Sequence, residues 1–265
     1  MTEMTELTTM QMIRRWVLRI ALFLTVLGPL IFIAAALGAK FGMWDWRFGL
    51  GTLTRDIGPK VLMATLASGV LGLILFMVVK PRKGLVTSAL AILVPVVGLG
   101  FAASVKAKAE RLPLIHDITT DTQNPPEFSD EMLRRRAQTP KVNTTIYKGK
   151  KDLRDKKLVS ALQSQAYPDV SPLILSESPD VVFGEAIAAA KAMGWEIVTE
   201  DLEAGRLEAT DTTFWYGFKD DIAIRIQPSG DGGSILDIRS TSRVGASDLG
   251  KNADRIRAFR QIIQG

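Results

Sequence analysis

Near its end the chain carries Thr241–Gly250, TSRVGASDLG, in which Arg243, Ser247 and Asp248 stand within six residues of one another. A serine, a carboxylate and a guanidinium are the types from which a nucleophile, its orienter and an anion clamp are built. A serine nucleophile also needs a base within hydrogen-bond reach. The only histidine, His116, is far away in sequence, so a Ser-His-Asp triad requires Ile115–Asp117 to fold back onto this loop. No GxSxG elbow, P-loop or HExxH is present. The same residues also have structural uses. Ser247 or Asp248 can cap a following helix by accepting its free N–H groups, and acid at that end complements the macrodipole. Arg243 has no helix-local task. It is expected either to pair with Asp248 or to hold an anion at the helix start. With Arg225, Asp237 and Arg239 on the strands leading up to it, the loop forms a candidate anionic-ligand site of Arg243, Ser247, Asp248, Asp237, Arg239 and Arg225. No catalytic residue is assigned.

The elements that must position this site lie between residues 179 and 265. Val182, Phe183, Ile187, Ala190 and Met193 recur at helical spacing, after a cap at Asp180 and before a stop at Gly194. Trp195–Thr199, Arg206–Tyr216, Asp221–Gln227 and Ser234–Ser240 read as strands. In the third, Ile222, Ile224 and Ile226 share one face. In the last, Leu236 and Ile238 point inward and Asp237 and Arg239 outward. PSGDGG supplies a hairpin turn. Leu249, Ala253, Ile256, Phe259 and Ile263 stripe a terminal helix, with Arg255, Arg257 and Arg260 mostly facing away. The expected fold class is α+β: an antiparallel sheet of about four strands, flanked by two helices in a helix-grip manner. Its polar face, with Glu208, Thr210, Arg225, Asp237 and Arg239, reads as a solvated ladder.

Upstream the composition changes. Residues 1–112 hold 13 basic and 5 acidic residues, residues 113–265 hold 20 and 23, and the chain is +5 overall. The positive balance flanks apolar runs, so no nucleic-acid face is implied. Runs at 16–37, 61–79 and 85–105 match the roughly 20 residues that cross a hydrocarbon core, and none has a central charge, which argues against an ion path. Ala64, Ser68 and Gly72 form a small-residue face. Arg14, Arg15 and Arg19, with Lys80, Arg82 and Lys83, favour a cytoplasmic N-terminus by the positive-inside rule. Three crossings then place the rest of the chain outside. The expected placement is a multi-pass protein of a bacterial inner membrane with a periplasmic C-terminal domain. Residues 1–111 read as the anchor and 112–178 as an extended, proline-rich, basic connection. In that connection Arg134, Arg135, Arg136, Lys150 and Lys151 form a patch suited to an anionic membrane surface. The chain has no cysteine, which removes disulfides and thiolate chemistry. No metal and no cofactor is expected.

HDITTDTQNPPEF, AYPDVSPL and especially SRVGASDLGKNADRIRAF resemble the family catalogued as domain of unknown function 1499, over roughly residues 113–263. The resemblance implies domain boundaries and an extracytoplasmic placement, but no established activity. More distantly, helix–GWEI–strands–helix is similar to interaction repeats in a lipoprotein of the outer-membrane β-barrel assembly machine. The leading expectation is a non-enzymatic cell-envelope module that binds membrane lipids, an anionic ligand or an envelope protein partner. A hydrolase or transferase using the Arg243/Ser247/Asp248 loop with His116 is the alternative. An accessory subunit of a larger membrane complex, assembled through the Gly72 face, is a third.

Overall fold

A computed structural model describes residues 7–265. The chain divides into a helical unit, running up to Ala107 and including Trp215–Gly217, and an α+β unit of Lys108–Phe214 and Phe218–Gly265.

The helical unit contains α1 (Thr9–Lys40), a π-helical stretch (Arg47–Ile57) that continues into α2 (Gly58–Val78), and α3 (Leu85–Arg111). The spans Thr9–Lys40, Arg47–Val78 and Leu85–Arg111 are each long and apolar enough to cross a membrane. Helix α1 opens on a capping box between Thr8 and Gln11. The buried stripe on α2 is Thr65, Gly69 and Gly72, while Ala64 is exposed. It is used within the chain. A Cβ on Gly72 would lie 2.6 Å from Ser88 Oγ, and one on Gly69 would lie 2.7 Å from the Ala91 carbonyl carbon, both on α3. Glycine there lets the two helices approach backbone to backbone. Arg14 is buried and donates through Nη1 to the carbonyls of Val79 (2.7 Å) and Pro81 (2.6 Å). Gln11 Nε2 donates to Lys80 O at 2.9 Å. The start of α1 and the α2–α3 loop therefore share one end of this unit.

The α+β unit begins almost where α3 ends. Its elements are β1 (Asp117–Thr119), α4 (Asp130–Ala137), α5 (Val159–Ala166), β2 (Leu173–Leu175), α6 (Pro179–Ala192), β3 (Glu196–Asp201), β4 (Arg206–Thr212), β5 (Lys219–Pro228), β6 (Ser234–Ser242) and α7 (Lys251–Gln264). The sheet is antiparallel, with six strands in the order β1-β6-β5-β4-β3 and β2 also pairing β6. Four strands are the ones expected. The other two are three residues each, and both line the same edge of β6: β1 against Arg239–Thr241 and β2 against Ser234–Leu236. Together they cover an edge that would otherwise offer unpaired backbone groups. Residues 112–178, expected as a connection, thus supply two strands and two helices to this unit.

Alternation along β4, β5 and β6 places Leu207, Ala209, Ile222, Ile224, Ile226, Leu236 and Ile238 in one core with Val182, Phe183, Ile256 and Phe259 of α6 and α7. Trp195 stacks on Phe259 with centroids 5.4 Å apart. Both helices thus bury their stripes on the same face of the sheet, which is the economical way to hide two amphipathic helices.

Candidate functional site

The opposite face of the sheet carries the charges. Direct pairings Thr210↔Asp221, Asp221↔Thr241 and Thr241↔Asp117 put these side chains in one row across four strands. Arg225↔Asp237 forms a second row, and Ala223↔Arg239↔Thr119 one between them. The expected solvated ladder is not found. Glu208 and Asp221 are 0% exposed, and Asp237 and Arg239 are 2% exposed. Residues 120–147, including α4, lie across the face. A polar pattern of period two fixes which side chains share a face, but not whether another part of the chain covers them.

Asp221 is the centre of the buried network. Its Oδ2 accepts from Arg136 Nη1 (2.6 Å) and Arg243 Nε (2.8 Å). Its Oδ1 accepts from Arg243 Nη2 (2.7 Å) and Thr210 Oγ1 (2.8 Å). Arg243 therefore pairs with a carboxylate on the neighbouring strand β5, and not with Asp248. Arg136 also donates to Asn143 O at 3.0 Å. Burial pulls its guanidinium below the ordinary value, and Asp221 opposes that pull.

Arg239 forms the second centre. It makes a bidentate pair with Asp117 (3.0 and 2.8 Å) and donates to Pro126 O (3.1 Å) and Thr145 O (2.5 Å). The rings of Phe128 and Tyr147 lie 5.2 and 5.7 Å from its guanidinium carbon, a cation–π arrangement that holds a charge out of water. Burial raises the Tyr147 phenol well above its ordinary value. Arg225 Nη2 bridges Asp237 (2.7 Å) and Asp121 (3.2 Å). Glu208 accepts from the backbone N–H of Ser129 at 2.7 Å and from its hydroxyl, and Ser129 in turn caps α4.

The loop Thr241–Gly250 does structural work. Ser247 Oγ accepts from Leu249 N–H at 3.2 Å. Asp248 accepts from the N–H groups of Gly250 (2.9 Å) and Asn252 (2.8 Å), at the start of α7. Burial raises its carboxyl, against those two N–H groups. Gly250 has φ +83°, which glycine adopts without strain. Ile115–Asp117 does fold back here, because Asp248 N–H donates to Ile115 O at 3.2 Å. The histidine ring goes elsewhere: His116 Nε2 meets Lys150 Nζ at 3.2 Å. Ser247 is thus bonded to its own loop and His116 to a lysine.

Two other expectations are corrected. Arg255 does not face away. It is buried and donates to Asp211 (2.9 and 2.7 Å), Asp220 (2.7 Å) and Ser240 (3.0 Å). The basic patch is also divided. Arg136 is internal, while Arg134 and Arg135 pair with Glu131 (2.8 and 3.0 Å). Arg135 also reaches Glu196 at 2.7 Å. Lys150 is half-buried against His116 and Lys151 is exposed. Among the described residues, no group of three or more His, Asp or Glu side chains is arranged to hold a metal ion. Above Arg239 the cover leaves a cleft of about 310 Å³, lined by Phe128, Leu133, Ile146, Tyr147 and Lys148 among others. Asp117, Asp221, Phe128 and Tyr147 belong to the site without any local sequence pattern that marks them. The available signal was HDITTDTQNPPEF itself, a segment whose residues supply Asp117, Asp121, Pro126 and Phe128 to the network.

The model of the family described as protein of unknown function DUF1499 matches residues 117–263. The chain belongs to that family. The match starts at Asp117, the partner of Arg239, and ends in α7, so the DUF1499 domain comprises the sheet, its helices and the cover together. No curated protein matches the chain.

Two outcomes follow for the DUF1499 domain. Asp221→Ala leaves two buried guanidinium groups without their carboxylate, a loss of about 3–5 kcal/mol. Thermal unfolding of the full chain in detergent should show it, with the exposed hairpin change Asp231→Ala close to wild type. Acid sensitivity should centre on His116. Burial first, and Lys150 second, lower its pKa from 6.5 to about 4. The unfolded chain then takes up a proton that the folded chain refuses. Stability from this group is complete above the unfolded value and falls as pH drops from 6.5 towards 4, by about 3 kcal/mol at most. His116→Gln should flatten that part of the stability–pH curve, and an unchanged slope there would refute the assignment.

Proposed function

We propose that the chain is a non-enzymatic, membrane-anchored module of the bacterial cell envelope, whose DUF1499 domain binds a lipid or other anionic amphiphile, free or presented by an envelope protein. The observation that carries this reading is the cleft over Arg239. Exposed Ile146 and Leu133 give it an apolar side, and Lys148 gives it a cation. Arg239 itself has five N–H groups, of which four are engaged by Asp117, Pro126 and Thr145. One remains on Nη1 for an acceptor. An apolar wall with a few fixed polar groups is the usual make-up of a ligand site. The packing of α6 and α7 on one sheet face suits the helix-grip description of an interaction module. A binding role is also favoured over hydrolysis because Ser247 is bonded within its own loop, and buried Asp117, Asp221 and Asp237 are paired with arginines.

Placement in an inner membrane with the domain in the periplasm draws support from the helical unit. The Arg14 and Gln11 bonds to Val79, Lys80 and Pro81 put Arg14, Arg15, Arg19, Lys80, Arg82 and Lys83 at one end. Positive charge concentrated at one end favours the cytoplasm, and three crossings carry residue 112 to the other side.

Purified in several detergents, the full chain should retain a stoichiometric lipid or partner, detectable by native mass spectrometry. Ile146→Asp, at a position 70% exposed, should lose it without lowering the melting temperature. Recovery of neither from wild type would sink the binding reading. For orientation, protease added to spheroplasts should cut within Lys148–Lys157, whereas cleavage in inverted membrane vesicles alone would reverse the topology.

A further inference from the structure

The cleft over Arg239 has a charge balance that a purely anionic ligand does not use. Two of its lining residues, Glu127 and Lys148, are exposed and of opposite charge. Each is next in sequence to one of the rings around Arg239: Glu127 precedes Phe128, and Lys148 follows Tyr147. Those rings lie 5.2 and 5.7 Å from the Arg239 guanidinium carbon. Consecutive Cα atoms are only about 3.8 Å apart. The two chain segments that flank Arg239 therefore carry a carboxylate and an ammonium to the same cleft. These two groups are not spent on each other. Among the described residues, neither the Glu127 nor the Lys148 side chain has an ion-pair or hydrogen-bond partner. Their neighbours do: Glu131 is held by Arg134 and Arg135, and Asp121 by Arg225.

Arg239 adds little net charge, because Asp117 pairs with it through both oxygens. With Glu127 and Lys148 opposed, the cleft as a whole is close to neutral. A simple anion would meet Lys148 and the spare Arg239 Nη1 hydrogen, but would also face the like charge of Glu127. Juxtaposed like charges cost affinity, and such a clash is one means of rejecting the wrong ligand. A head that joins a phosphate to an ammonium satisfies every free group. Phosphate oxygens accept from Lys148 and Arg239 Nη1, and the ammonium donates to Glu127, all as charge-assisted bonds. Size points the same way. The cleft is about 310 Å³, at the lower end of the roughly 300–1,000 Å³ typical of small-molecule sites. That suits a compact head and the start of an acyl chain, whose further length can lie along Ile146 and Leu133, 70% and 39% exposed.

We infer that the cleft selects a zwitterionic aminophospholipid, a glycerophospholipid with an ethanolamine phosphate head, over an anionic phospholipid. Lys148 and Arg239 hold the phosphate, Glu127 the ammonium, and Ile146 with Leu133 the first part of an acyl chain. The inference rests on the binding reading above and adds to it the class of head group.

The test uses the delipidated full chain in dodecyl maltoside, mixed with equal amounts of dioleoyl phosphatidylethanolamine and dioleoyl phosphatidylglycerol. Native mass spectrometry separates the two adducts. Lipid held by the helical unit is common to all variants, so the adduct lost in Ile146→Asp is the one in the cleft. That adduct should be several-fold richer in the ethanolamine lipid. In Glu127→Gln the preference should fall to parity or invert, and Lys148→Gln should weaken both lipids. N-acetylated phosphatidylethanolamine, which keeps the phosphate and loses the ammonium, should bind no better than phosphatidylglycerol. Equal cleft occupancy by both lipids, or a preference that survives in Glu127→Gln, would overturn the inference and leave the binding reading standing. Loss of no lipid in Ile146→Asp would remove lipid binding from the cleft altogether, and this inference with it. Glu127 and Lys148 are exposed, so each variant should melt with the wild type, which separates lost binding from lost folding.

Discussion

The domain depends on one carboxylate. Asp221 has no contact with water and sits between Arg136, from the covering segment, and Arg243, at the end of β6. A buried ion is expensive, by several kcal/mol even after relaxation. Its cost is offset only if every lone pair and N–H finds a partner. That condition joins the sheet to its cover. With the cover removed, the sheet face would be an ordinary solvated ladder and each pair would contribute little. With the cover in place, Arg136, Thr145 O, Pro126 O and Asn143 O become obligatory, because they complete bonds the sheet cannot supply to itself. The segment from Thr120 to Tyr147 has little regular structure, and this network is what gives it a fixed course.

The two faces of the sheet are thus stabilised by different physics. Beneath it, α6 and α7 bury isoleucine, leucine and phenylalanine, an interaction that tolerates modest changes of shape so long as volume is kept. Above it, bidentate Arg–carboxylate geometry and aromatic rings around Arg239 tolerate almost none. The faces meet at the start of α7. Asn252 Nδ2 donates to His116 O (2.9 Å) and Ser242 Oγ (3.1 Å), and Arg255 spans Ser240 and Asp220. The polar loop ahead of α7 is the join between a soft core and a rigid lattice, which explains its density of short polar residues without recourse to catalysis.

How much of this was readable depends on the distance between partners. Helices α6 and α7 and strands β4 to β6 were legible because amphipathic period and turn residues are local signals. Strands β1 and β2, three residues each, show no period and exist only because β6 offers them an edge. Arg243 was correctly singled out as lacking a local task, but its partner Asp221 is reached through the β5–β6 register and the sequence does not point to it. Alternation puts Arg225 and Asp237 on one face, and they are a direct pair. Exposure of that face is not a local signal: alternation looks the same whether water or chain lies above it. The family resemblance, which reached back to about residue 113, already held the missing information, since a motif running through HDITTDTQNPPEF places that segment inside the domain.

A lattice whose charges are consumed internally constrains what the domain can recognise. Free guanidinium groups would bind phosphate or carboxylate strongly and with little regard for the rest of the ligand. Here Arg136 and Arg243 are shared with Asp221 and Arg239 with Asp117, so attraction to an anion at the cleft is muted by a carboxylate already in place. On the proposed binding reading, affinity then comes from contact with Ile146, Leu133 and the edges of Phe128 and Tyr147, with the spare Nη1 hydrogen and Lys148 fixing orientation. That balance favours a ligand with a long apolar part and a single small polar head over a compact, highly charged one.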